Sequence, residues 1–305
     1  MTYQFLDIEG SDRHLALEDG FVRVSAEGQR GGNPPEHRKV ALDDVCAIAV
    51  TAYGATYTNA LLSELSRRSI PLVVCGRNHV PCGILLGLDG NHRQAKRFDL
   101  QASASHPMRK RAWQQIVRSK LQQQGRLLDR EGRNGSSLYR MARRVRSGDP
   151  ENIEAAGARY YWKALFGADF KRDRALPGVN GLLNYGYMVL RSTMARSVVA
   201  TGLHPSLSIH HQNEGNPMRL VDDLIEPFRP VVDSVVLRLL EEGFNEVDRT
   251  SKPEILAGVF NATLEITEKQ ERLPACCYCV CQSLVKVYSG DARTLSLPLG
   301  LVSAS

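Results

Sequence analysis

The feature that most constrains the fold is a change of hydrophobic period part-way along the chain. From Tyr3 to about Leu88 apolar residues fall in short strand-like runs, whereas after Pro107 they recur every three or four residues. One regular element type cannot serve both patterns, because period two buries a face of a pleated strand and period 3.6 a stripe of a helix. The chain is therefore expected to be α+β and multidomain, and its 305 residues suffice for two domains. "RHLALEDGFVRV" alternates around Asp19-Gly20, a hairpin-turn signal. "VCAIAV", "IPLVVC" and "CGILLGL" read as further strands, and "TNALLSELSRRS" as one helix. Residues 1–90 are thus expected to form a small β-rich domain. A Gly-, Asn- and Ser-containing stretch, Asp89 to Ser105, supplies a linker at 91–105, and 106–305 form a helical domain.

Within the helical part, Trp113, Ile116, Val117, Lys120 and Leu121 mark the stripe of a basic helix that "REGRNGSS" interrupts. Asp149-Pro150 predicts a helix start, with Asp as N-cap and Pro at the first helical position, and Gly167 a stop. Asn180 opens a helix closed by Gly202 and Pro205. Further helices are expected from about Met218 to Glu242 and from Pro253 to about Glu268. An amphipathic segment then runs through Tyr288, and the tail "LSLPLGLVSAS" reads as extended.

Charge is distributed unevenly. Residues 106–147 hold twelve Lys or Arg against two acids, so this window is +10 in a chain of net +6. Such a window favours an acidic partner such as nucleic acid, though each single arginine also fits a solvated helix face. "MTYQFLDIEGSDRH" lacks the basic start and apolar core of a signal peptide, and no apolar run spans a bilayer, so no membrane role is expected. Seven cysteines, an odd number, suit reduced thiols and a cytoplasmic location. Four of them crowd into "CCYCVC" (Cys276, Cys277, Cys279, Cys281), too close together to wrap one tetrahedral ion unaided, so buried free thiols are the expectation.

The stretch "HHQNEGNPMRLVDDLIEPFRPVVD", His210 to Asp233, carries two histidines, then clustered acids, then two prolines (Pro227 and Pro230) in what is otherwise built like a core helix. Asp223 and Glu226 lie three apart, on neighbouring turns of one face, where like charges repel unless a cation intervenes. Pro227 and Pro230 crowd the carbonyls of Asp223 and Glu226, so the helix should bend or restart beside the acids. A bland alternative is a solvated carboxylate edge at the start of a restarted helix. Glu154 shares a stripe with Ala158, Tyr161 and Leu165 and is expected to point inward, needing a cation or a partner such as Arg191 or Arg196. His210 and His211 sit on the loop entering the acid helix, so at least one is a candidate ligand.

Three segments, "IEAAGARYYW", "LLNYGYMVLRSTMARSVVATGLHPSLSIHHQNEGN" and "LVDDLIEPFRPVVD", resemble the CRISPR-associated integrase family, the larger subunit of the spacer-acquisition complex, and most of all its type II branch. The resemblance covers nearly the whole chain. It implies an acidic ligand seven residues before an aromatic, which selects Glu154 with Tyr161, and a histidine fifteen residues before the final acid, which selects His211 and Glu226. Asp223 becomes an auxiliary acid. Family members often have Gly directly after the first acid, where Ala155 stands here with Gly157 further on, and the doubled histidine leaves His210 as the other possible ligand. The resemblance further implies a β-sandwich-like N-terminal domain and an all-α catalytic domain. It implies a homodimer, two of which assemble around a dimer of a small companion subunit as a 4:2 heterohexamer.

The implied reaction is a metal-dependent strand transfer, in which a DNA 3′-hydroxyl attacks a phosphodiester of the repeat array. Glu154, His211 and Glu226 would be both catalytic residues and ligands to Mg²⁺ or Mn²⁺, leaving octahedral positions free. Arg109, Lys110, Arg111, Arg140, Arg143 and Arg144 are the expected contacts to double-stranded DNA, holding its backbone without reading sequence. Two other readings use the same residues: a general metal-dependent nuclease with water as nucleophile, and a non-catalytic DNA-binding scaffold whose carboxylates only brace helices.

Overall fold

The computed structural model describes residues 4–10, 12–26, 37–76, 81–85, 87 and 91–303. Tyr3 and the Asp89–Gly90 start of the expected linker stretch, together with Leu86 and Leu88 of "CGILLGL", lie outside the described residues. The chain divides into two compact units, residues 1–94 with 199–202, and residues 95–198 with 203–305.

The first unit is built on two four-stranded sheets. Strands β1 (Gln4–Ile8), β2 (Arg13–Glu18), β3 (Phe21–Ala26), β4 (His37–Ala41), β5 (Val45–Val50) and β6 (Thr56–Tyr57) precede helix α1 (Asn59–Arg67), and β7 (Leu72–Cys75) and β8 (Pro81–Leu85) follow it. One sheet has the order β4-β3-β2-β6, the other β1-β5-β7-β8. The β2–β3 hairpin turns through Asp19 (φ 48°) and Gly20 (φ 83°), the pair of positive φ values that a two-residue primed turn demands. All six residues of β5 are buried, as expected of an interior strand paired in parallel on both sides. Leu15, Val22 and Val40 from one sheet share a core with Leu6, Ile48 and Leu72 from the other and with Leu61 and Leu65 of α1. Thr58 caps α1 by accepting from the Leu61 amide at 3.3 Å.

The second unit is mainly helical: α2 (Gln94–Ala102), α3 (His106–Arg130), α4 (Ser136–Arg144), α5 (Ile153–Phe166), α6 (Val179–Ala200), α7 (Arg219–Ile225), α8 (Arg229–Glu241), α9 (Ser251–Asn261) and α10 (Leu273–Ser289). Helix α2 falls in the stretch expected to be a linker. Its cause is Gln101, which is buried and binds the loop after α6: its Nε2 donates to the carbonyls of His204 (2.9 Å) and Leu207 (2.6 Å) and its Oε1 accepts from the His204 amide (2.8 Å).

The expectation of an all-α second domain is corrected by a three-stranded antiparallel sheet, order β10-β9-β11, formed by β9 (Thr263–Ile266), β10 (Lys269–Arg272) and β11 (Gly300–Ser303). The helix expected to reach Glu268 stops at Asn261, because "TLEI" alternates with Leu264 and Ile266 inward, the strand period. Thr267 (φ 48°) and Glu268 (φ 62°) make the tight turn that Gly or Asn usually announces, which is why it escapes a reading of turn residues.

The α5 start is also displaced. The helix begins at Ile153 rather than Pro150, yet Asp149 still caps it: Oδ1 accepts from the Ile153 amide (3.0 Å) and Oδ2 from the Glu154 amide (2.9 Å). Its buried stripe is Ile153, Gly157, Tyr161 and Leu165: the last two are as expected, while Ile153 and Gly157 take the places expected of Glu154 and Ala158. Glu154 therefore stands at the edge of the packed face, half-buried, and not within it.

Candidate active site

The acid-rich segment folds as α7, a single 3₁₀ turn over Glu226–Phe228, and α8. The prolines thus produce the expected restart, a tightened turn beginning at Glu226. The three acids are not left facing one another; each has its own partner. Asp222 accepts from Arg191 Nε (2.7 Å) and Asn216 Nδ2 (2.6 Å). Asp223, fully buried, accepts from the backbone amides of Ile209 (2.7 Å), His210 (3.0 Å) and His211 (3.2 Å), and pairs with His211 Nδ1 at 2.6 Å. Glu226 is buried and accepts from Arg229 Nε at 2.9 Å. The repulsion expected between Asp223 and Glu226 is thus relieved by separate partners.

Glu226 has a second neighbour, Lys120, whose place in the basic window and on the helix stripe did not connect it with the acids. Lys120, 5% exposed, lies on the apolar stripe of α3 with Ile116, Val117 and Leu121. Its Nζ lies 2.5 Å from Glu226 Oε2 and hydrogen bonds to Glu154 Oε1. The contact with Oε2 is a close ion pair, so one ammonium is shared between the two carboxylates. Glu154 and Glu226, 72 residues apart in sequence, therefore meet at one cation. Burial alone would raise the Glu226 pKa, but the charges of Arg229 and Lys120 outweigh it and hold the carboxyl at about 2. Burial likewise opposes the charge on Lys120, and Glu226 and Glu154 reverse the effect and raise its pKa. The partner expected for Glu154 among Arg191 and Arg196 is thus replaced by Lys120. A lysine inside an apolar stripe is the sequence signal that marks it.

What permits the approach is Gly157, one turn after Glu154. A Cβ there would stand 2.2 Å from Leu121 Cδ2, so any larger residue would force the buried Leu121 side chain or the helix to move. Lys120 immediately precedes Leu121, and Glu154 lies three residues before Gly157.

The histidine loop is held from below by Asp223. His211 points its Nδ1 at that carboxylate, which raises its pKa chiefly through the hydrogen bond, and Glu226 adds to the shift. With Nδ1 engaged, Nε2 is the nitrogen left for a ligand, the carboxylate-oriented imidazole arrangement common behind metal-binding histidines. His210 is used differently: its ring stacks on Trp113 at 4.3 Å and 3° between planes, and burial lowers its pKa. Asp223, expected as an auxiliary acid, is committed to ordering this loop.

Two carboxylates and an imidazole are the donor set a hard or borderline divalent ion takes, and the Lys120 ammonium marks a place where the site stabilises positive charge. In character the residues fit such an ion. Among the described residues no three His, Cys, Asp or Glu side chains are grouped to hold a metal, so the joint convergence of Glu154, His211 and Glu226 is not present in this conformation. Lys120 stands between the two glutamates, and Asp223 engages the His211 ring.

Behind Glu226 lies a buried polar network. Asp233 accepts from Tyr161 Oη at 2.6 Å and from Tyr187 Oη. Arg229 stacks over the Tyr187 ring at 4.7 Å while binding Glu226. Burial pushes the Asp233 carboxyl up to about 6, against the lowering effect of the two hydroxyls. The aromatic seven residues after Glu154 is therefore bonded to α8, the helix that follows the turn carrying Glu226.

Part of the basic window is committed internally. Arg118 donates to the Val145 carbonyl at 2.8 Å, Arg130 bonds Ser234, and Arg133 binds the last carbonyls of α5. Lys110, Arg111, Arg140, Arg143 and Arg144 are exposed and Arg109 is half-buried. Arg140, Arg143 and Arg144 fall on one side of α4 by their spacing, and Arg144 lies 3.6 Å from Glu151. A cleft of about 350 Å³ is lined by Arg109, Lys110, Trp113, His210 and Arg219 among others. Cys276, Cys277 and Cys281 are buried on α10, and burial raises the thiol pKa of Cys276 and Cys277, consistent with packing rather than reactivity. No helix among the described residues is long and apolar enough to cross a membrane.

Comparison with known proteins gives concordant findings. The family described as "CRISPR associated protein Cas1" matches residues 6–260. The chain is 40% identical over 245 residues to the CRISPR-associated endonuclease Cas1 of Neisseria meningitidis serogroup C (strain 8013), covering 80% of this chain and 78% of that one. Its fold is similar to that of a casposase bound to integration product, with a TM-score of 0.78 at 17% identity over 97% of this chain and 93% of that one. It is also similar to a Cas6-RT-Cas1–Cas2 complex, with a TM-score of 0.75 at 18% identity over 96% of this chain and 36% of that one.

Proposed function

Because the chain belongs to the Cas1 family of CRISPR-associated proteins, we propose that it is the DNA endonuclease and integrase of CRISPR adaptation, with Glu154, Glu226 and His211 as its catalytic centre. The observation that carries the placement is the meeting of Glu154 and Glu226 at a single cation. The 3′-hydroxyl of a short DNA fragment attacks a phosphodiester of the repeat array. One phosphorus–oxygen bond forms and another breaks, releasing a 3′-hydroxyl, so no ATP is required.

Glu154, Glu226 and His211 through Nε2 are the residues that would hold the divalent ion. Mg²⁺ or Mn²⁺ bound there would neutralise charge developing on the phosphate and lower the pKa of the attacking hydroxyl. Asp223 keeps the imidazole oriented, and Arg229, fixed over Tyr187, keeps Glu226 ionised and aimed. The exposed Lys110, Arg111, Arg140, Arg143 and Arg144, with Arg109, bind the backbone of double-stranded DNA, an interaction that weakens steeply with salt.

The finer organisation belongs to the same reading: a sandwich-like dimerisation domain (1–90), a connecting segment (91–105) and a catalytic domain (106–305). The protein then acts in the cytoplasm as a homodimer within a 4:2 assembly with a small companion subunit. The test is strand transfer into a supercoiled repeat-bearing plasmid, with and without Mg²⁺ or Mn²⁺ and the companion. Joined strands that require the ion and disappear in Glu154→Gln and Glu226→Gln are expected. Release of fragments without joining would instead indicate a nuclease, and unchanged processing in both variants a scaffold.

A further inference from the structure

We propose that Lys120 is a tethered counter-ion of the catalytic centre: its ammonium holds the position between Glu154 and Glu226 that the divalent ion takes, and entry of the ion displaces it. The inference rests on the metal-site reading above and concerns how that site is filled.

The geometry separates Lys120 from an ordinary buried ion pair. Glu226 already has a charge partner, since Arg229 Nε donates to its Oε1 at 2.9 Å. The ammonium is therefore a second positive charge on that carboxylate, placed against Oε2 at 2.5 Å, while it also donates to Glu154. It sits between two carboxylates as a small ion would. A divalent ion drawing on the same oxygens would stand within a few ångströms of the ammonium in a poorly screened pocket, where like charges repel strongly. One of the two must leave.

Of the two basic side chains on Glu226, Lys120 is the one able to withdraw. Arg229 is pinned by its stacking on Tyr187 at 4.7 Å. Lys120 ends in a point charge on a flexible four-carbon stem, and Glu154 beside it is half-buried, so the way out runs along the more open side. The tethered cation neutralises the converging carboxylates while the site awaits its ion, and it weakens ion binding by competing for the same oxygens.

The measurement is Mn²⁺ affinity of the purified full-length protein by electron paramagnetic resonance titration, with folding of each variant checked by circular dichroism. Lys120→Met is expected to bind Mn²⁺ at least tenfold more tightly than wild type, Lys120→Arg no more tightly, and Glu226→Gln at least tenfold more weakly. Equal affinity of wild type and a folded Lys120→Met overturns the inference and leaves the metal reading intact. Absence of Mn²⁺ binding in every protein overturns both. Should Lys120→Met not fold, the wild type decides alone: amine-acylation footprinting read by mass spectrometry should show Lys120 labelled at least threefold faster with saturating Mg²⁺. Unchanged labelling would reject the displacement.

Discussion

Removing the Asp223 carboxylate should release the histidine loop while leaving most of the fold in place. Asp223 is 0% exposed and is the shared acceptor of three successive amides, Ile209, His210 and His211, as well as of His211 Nδ1. Hydrogen bonds to a buried charge are each worth ~1.5–3 kcal/mol, so losing three at the low end gives roughly 4 kcal/mol. Water reaching the exposed His210 recovers part of this, leaving about 3 kcal/mol in Asp223→Ala. At ~1.4 kcal/mol per factor of ten, that is on the order of a hundredfold in local opening. Amide hydrogen exchange reads it directly: residues 209–211 should exchange about a hundred times faster, while amides of β5 remain as protected as in wild type. Strand transfer should fall with the loss of His211 orientation. If those three amides exchange less than threefold faster, the carboxylate is not what holds the loop and the assignment of Asp223 as its organiser fails.

Glu226 has a folded-state pKa of about 2 against an ordinary 4.5, so its contribution to stability is present above pH 4.5 and is lost as pH falls towards 2. Acid unfolding of Glu226→Gln should lack this component, as a comparison of urea midpoints at pH 5 and pH 3 would reveal. Asp233 has the opposite sign: raised from 3.8 to about 6, it contributes stability below pH 3.8 that is lost as pH rises through about 6. Asp233→Asn should flatten the stability profile between those limits in the same urea measurements. Gly157→Ala must push α5 off Leu121, costing ~1–3 kcal/mol by thermal or urea unfolding, and should lower strand transfer more than this loss of stability explains, because Glu154 moves with the helix.

Much of the architecture was legible because periodicity reports burial locally. The Asp19-Gly20 hairpin, helix α1 in "TNALLSELSRRS" and the proline-driven restart at Glu226 each depend on residues close in sequence. The β9–β10 hairpin was not legible, since its turn uses Thr267 and Glu268 at positive φ without glycine and β9 also pairs with β11, some thirty residues later. Helix α2, in the stretch read as a linker, was not legible for a related reason: Gln101 is polar in sequence and becomes buried only through the carbonyls of His204 and Leu207.

The chain's own order of residues fixed which chemical groups are present and which helix face carries them: Asp223 and Glu226 one turn apart, the paired histidines before them, Glu154 seven residues from Tyr161. Only the tertiary structure decided how their charges are matched. It gave Asp222, Asp223 and Glu226 separate partners and brought Lys120 between Glu154 and Glu226. The physical reason is that helical periodicity determines which side of an element is buried, whereas electrostatic pairing of buried charges depends on how closely elements approach. Here that approach is set by one missing Cβ at Gly157.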